Sequence, residues 1–153
     1  MNETVSNRRA RKFFGAGTVL LLLSFVSHSI GHFAFYVNEA SFNPERTKLA
    51  AAMKSYIADR VFFDTSMWTI LKMFSMSFSF LMLFAGVSNL IVLKSNVGNG
   101  FFKRISLFNT TFWGGACILY AVFNPAIQPL LICIVIFVLF GFAFLSSKKT
   151  AGA

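Results

Sequence analysis

Met67–Val92 reads MWTILKMFSMSFSFLMLFAGVSNLIV and contains a single charged side chain, Lys72. A helix rises about 1.5 Å per residue, so a stretch this long can cross the ~30 Å hydrocarbon layer of a bilayer. Three further stretches have the same character, at about residues 13–36, 105–123 and 130–145. Four spans take up most of a 153-residue chain and leave little for a soluble domain. The expected fold is therefore all-α: an integral membrane four-helix bundle with a short amphipathic helix in the first outer loop. Residues 1–12 and 148–153 read as short cytoplasmic tails, and 13–147 as the membrane domain.

Composition supports this partition. Hydrophobic residues make up 56% of the chain and charged residues 12%, and the charges avoid the apolar stretches. A net charge of +9 would also suit a nucleic-acid partner, so its distribution decides the matter. Arg8, Arg9, Arg11 and Lys12 precede the first span, Lys94, Lys103 and Arg104 lie between the second and third, and Lys148 and Lys149 follow the fourth. The only acid among these segments is Glu3. In the Val37–Ser66 loop, by contrast, four basic side chains are balanced by Glu39, Glu45, Asp59 and Asp64. Positive residues are retained on the cytoplasmic side, so both termini and the Lys94–Arg104 loop are expected inside. The charge then serves topology and anionic headgroups, with no nucleic acid implied.

The first span begins as a secretory signal does, with a basic start, an apolar Val19–Val26 run and small residues around Ser29-Ile30-Gly31. Its apolar character continues through Phe33, Phe35 and Tyr36, far enough to span, and it is read as retained.

Asn43-Pro44-Glu45 carries a helix start: a capping amide, proline at the first position and an acid at the positive end of the dipole. The Arg46–Arg60 stretch then places Leu49, Met53, Tyr56, Ile57 and Arg60 at helical spacing, as an amphipathic helix on the membrane would. Asp64-Thr65-Ser66 offers a cap for the second span. Along that span Lys72, Ser75, Ser79, Met82, Gly86 and Asn89 recur at steps of three or four, a small and polar stripe expected to pack inward, with the bulky side of Phe74, Phe78 and Leu81 facing lipid or a larger neighbour. Asn109, Gly114 and Gly115 give the third span similar material for close packing, and Asn124–Pro129 reads as a tight outer turn. Tyr36, Trp68 and Tyr120 fall near the outer boundary, where amphipathic aromatics concentrate.

The chemistry-bearing residues are few. His28 and His32 are four apart, on one side of a helix. Together with Lys72, Ser75 and Ser79 they form a candidate polar pocket in the outer half of the bilayer, with Ser24, Ser27, Ser75 and Thr110 as possible hydrogen-bond partners of the imidazoles. An ionisable side chain inside a span marks a functional site by default, although the Lys72 stem can also carry its ammonium out to the headgroups. His28 is expected to share an environment with Lys72. The candidate metal ligands are His28, His32, Cys117 and Cys133, with no Asp or Glu inside any span to join them. The two cysteines have no CxxC spacing, and small buried apolar residues are the simpler reading. No HExxH, GxSxG, phosphate-binding glycine loop or dinucleotide fingerprint occurs, so no catalytic residue is assigned and no cofactor is indicated.

Gly31-His32, Ala51-Ala52-Met53-Lys54, Ser66-Met67-Trp68 and Gly86-Val87-Ser88-Asn89-Leu90 follow one another in an order that resembles small bacterial membrane proteins with four spans and, more distantly, DoxX-like proteins. The resemblance covers roughly residues 13–92. It implies a bacterial inner membrane, and the DoxX-like group is associated with membrane redox systems. The chain is thus expected to be a lipid- or partner-interacting helical bundle of unassigned activity, its partners being lipids, another membrane protein or a second copy. The alternatives are an accessory redox protein binding quinone, haem or metal, and a small transporter or channel subunit.

Overall fold

The computed structural model describes residues 3–39, 42–59, 64–123 and 127–147. Helix α1 runs Glu3–His32 and continues into a wider turn over Phe33–Val37, closed by the Asn38 amide donating to the Phe33 carbonyl at 3.0 Å. Helix α2, Pro44–Ser55, leads into a short antiparallel pairing of β1, Ile57–Asp59, with β2, Thr65–Ser66. Three helices complete the chain: α3 over Met67–Lys94, α4 over Asn99–Phe123 and α5 over Ile127–Ser146. The fold is an all-α four-helix bundle with a short helix in the first connection. Each long helix is apolar and long enough to cross a bilayer, a multi-pass membrane architecture.

Several boundaries differ from the sequence expectation. The segment read as an N-terminal tail is helical from Glu3, and Arg11 ties it down. Its guanidinium donates to the Leu93 carbonyl at 2.9 Å and the Ser95 carbonyl at 3.3 Å, both at the C-terminal end of α3, where helix carbonyls lack partners. Helix α4 begins at Asn99, which brings Phe101–Arg104 into its first turns, and α5 begins at Ile127 with Pro129 in its first turn, where proline removes no helical bond. The amphipathic helix expected to reach Arg60 stops at Ser55. There the Ser55 hydroxyl turns back to the Ala52 carbonyl at 2.9 Å, and Tyr56 and Ile57, aromatic and β-branched, go extended. Arg60, the 124–126 turn and the lysines at 148 and 149 lie outside the described residues.

Both expected caps are present. Asn43 Oδ1 accepts from the Arg46 amide at 2.8 Å, and Ser66 Oγ accepts from the Thr69 amide at 3.3 Å.

The chain divides into two compact units, one from the described residues of 1–23 and 84–153, the other from those of 24–83. In the first, helical spacing puts Phe102, Ser106, Asn109 and Trp113 on the buried face of α4, and Cys133, Ile136, Phe140 and Ala143 on that of α5. The Phe14 ring lies 5.0 Å from Phe102 and 5.1 Å from Phe140. Gly17 lets helices approach here: a Cβ on it would sit 3.2 Å from the Phe140 ring. Gly86 is tighter, since a Cβ there would overlap the Leu22 side chain, with Cγ only 2.8 Å away. Buried hydroxyls are satisfied within their own helices, Thr18 on the Phe14 carbonyl and Ser106 on the Phe102 carbonyl, both at 2.8 Å.

Candidate functional site

The second unit holds the candidate polar pocket. His28 and His32 stand one turn apart on α1, and the α3 stripe presents Ser75 to both. His32 Nδ1 lies 2.9 Å from Ser75 Oγ, and His28 Nε2 lies 3.2 Å from the same hydroxyl and 3.1 Å from the Ser75 carbonyl. Ser79 Oγ, itself buried, donates to that carbonyl at 3.4 Å. One serine thus engages both imidazoles. The structure joins four of the expected pocket residues, His28, His32, Ser75 and Ser79, with Ser75 at hydrogen-bond distance from both imidazoles, and Thr110 donates to the Ser106 carbonyl.

Lys72 is exposed on α3, one turn before Ser75. Phe78, on the bulky side of α3, meets a neighbour, its ring edge-on to His28 with centroids 5.2 Å apart.

Above the imidazoles lies an aromatic layer. The Tyr36 ring is 5.2 Å from His32 and 5.1 Å from Trp68, which is buried, and Phe35 and Phe42 complete the cluster. Arg46 of α2 enters it with its guanidinium 4.2 Å from the Phe35 ring centre and 4.0 Å from that of Phe42. Its Nη2 donates to the Ala34 carbonyl at 3.0 Å, supplying a partner in the wide turn that ends the first span. Nearby, Lys54 pairs with Glu39 at 2.6 Å. Sequence reading passed over Arg46. The available signal was an arginine three residues after a helix cap, near a span end rich in aromatics.

Cys117 and Cys133 are free thiols on α4 and α5. Among the described residues no three His, Cys, Asp or Glu side chains converge as a protein-built metal centre requires. The array can donate and accept hydrogen bonds and hold a proton. Ser75 lies inside α3, where backbone amides are committed to the helix and offer no oxyanion hole for attack by its hydroxyl.

No family model matches this chain, and neither a curated protein nor a solved structure is detectably similar to it.

Proposed function

We propose that the chain is a multi-pass protein of a bacterial inner membrane, threaded with both termini in the cytoplasm, and that it works by binding lipid or a partner helix through its spans rather than by catalysis. The observation that carries this reading is the apolar exposure on every span: Ile30 is 65% exposed, Phe84 73%, Phe123 78% and Leu145 75%. In a bilayer, acyl chains or another protein's helix satisfy such faces. An open apolar groove of about 420 Å³ along α1, bordered by Phe25, Ile30 and Phe33, adds to that surface. The threading is supported by the basic side chains before the first span and between α3 and α4, and the bacterial setting by the resemblance noted above.

The DoxX-like resemblance and the juxtaposed imidazoles favour a second reading, an accessory redox protein that holds a quinone, haem or metal at His28 and His32. A transporter needs the α3 stripe to face a path between copies; the burial of Ser79, Met82 and Asn89 within a single chain supports the bundle instead. Native mass spectrometry of the protein released from lipid nanodiscs separates the readings. Retained phospholipid or a second copy, without any cofactor mass, is the expected result. Stoichiometric haem, quinone or metal that disappears when both histidines are replaced by alanine would establish the redox reading in its place.

A further inference from the structure

Resting on the lipid-binding reading above, we propose that the groove along the last turns of the first span holds one acyl chain of a glycerophospholipid, with the lipid's phosphodiester against the Arg46 guanidinium. The groove, of about 420 Å³, is almost wholly apolar. Ser29 and Ala34 are its small side chains, and Phe25, Val26, Ile30 and Phe33 are the bulky ones around them. At about 1.5 Å per residue, the stretch from Phe25 to Ala34 covers roughly 13 Å along the helix axis, close to one leaflet of a ~30 Å hydrocarbon layer. An apolar trough of that length, open to the bilayer along its side, suits a hydrocarbon chain.

Its end distinguishes this groove from the rest of the lipid-facing surface. Ala34 lines the groove, and its carbonyl accepts from Arg46 Nη2 at 3.0 Å, so the guanidinium stands at the groove's margin where the span ends. The Phe35 and Phe42 ring centres lie 4.2 and 4.0 Å from the guanidinium carbon, which leaves the N–H edge to take a partner. The Ala34 carbonyl satisfies Nη2, while the buried Nε has no acceptor. The charge is unmet as well. Glu39 is held by Lys54 at 2.6 Å, and among the described side chains no carboxylate pairs with Arg46. A phosphodiester supplies acceptor oxygens and negative charge together, and a guanidinium takes it edge-on. Phosphate at the end of a span and a chain running down its side belong to one lipid molecule. A single cation reads the phosphate and not the headgroup beyond it, so the ligand class is glycerophospholipids in general.

Native mass spectrometry of the full chain in dodecyl maltoside tests this by titration with dioleoylphosphatidylcholine, a zwitterionic lipid chosen so that net charge elsewhere on the chain does not dominate, or with dioleoylglycerol. The expected result is one phospholipid retained ahead of all others. Dioleoylglycerol, with the same chains and no phosphate, should bind roughly tenfold more weakly, the scale of a charge-assisted hydrogen bond. Ser29→Phe, which fills the groove, should remove the first phospholipid, whereas Thr111→Phe, at an exposed position of α4, should leave it. In Arg46→Gln the preference for phospholipid over dioleoylglycerol should disappear, and as a ratio within one variant it is not mimicked by a loosened α2. Equal binding of the two lipids by the native chain, a first phospholipid that survives Ser29→Phe, its equal loss in Thr111→Phe, or an unchanged preference in Arg46→Gln would overturn the site. Phospholipids that add with no distinct first molecule would overturn it too, while leaving lipid-covered spans intact; a chain that retains no phospholipid would overturn both readings.

Discussion

Asn89 on α3 and Asn109 on α4 exchange amide hydrogen bonds in both directions, Nδ2 to Oδ1 at 3.0 and 3.1 Å, and both are at least 95% buried. Asn109 Nδ2 donates in addition to the Ile105 carbonyl at 2.9 Å, so its orientation is held independently of its partner. Asn89→Leu leaves the Asn109 carbonyl oxygen without its donor. A loss of about 1–2 kcal/mol is expected, within the range of interhelical polar contacts in membranes. The double leucine variant should lose less than the sum of the singles, measured by reversible unfolding in mixed micelles. Additive losses would mean the two amides act separately.

Gly86→Ala is expected to destabilise the helix packing by about 1–3 kcal/mol, because the added methyl overlaps the Leu22 side chain near its branch point. Gly115, where a Cβ would meet open space, is the control. Gly115→Ala should be neutral or slightly stabilising by thermal unfolding, since alanine restricts the unfolded chain.

Much of this architecture is legible from residue order. Lys72, alone among apolar neighbours, marks α3 as a span, and the steps from Ser75 to Asn89 identify its packed face. Asn43 and Ser66 announce their helices through capping chemistry that operates within three residues. The pairing of Asn89 with Asn109 is not legible, because hydropathy sets depth in the bilayer and leaves open the rotation of one helix against the next. The same limit explains Ser75, whose place opposite both imidazoles depends on the axial register of α3 against α1. Ile57 shows a different limit: its spacing fits a helix, while its branched side chain and the pairing available from Thr65–Ser66 favour a strand.

Arg46→Gln and Lys54→Gln should differ although each removes one positive charge from the same connection. Lys54 and Glu39 remain 43% and 46% exposed, where water screens an ion pair to about 0.5 kcal/mol or less. Arg46 is enclosed by two aromatic faces and a helix-end carbonyl, and its loss should cost about 1–2 kcal/mol. Hydrogen exchange across α2 should accelerate in Arg46→Gln and stay near the native rate in Lys54→Gln. Arg46→Lys should recover only part of the protection, because an ammonium cannot stack between the rings as a guanidinium does.

The threading of four spans is tested most directly by reporter fusions that are active on only one side of the membrane. Fusions after Gly98 and at the C-terminus should report the cytoplasm, and a fusion at Asn43 the opposite side. An external signal at the C-terminus, or signals from the same side at Asn43 and Gly98, would contradict four spans with both termini inside.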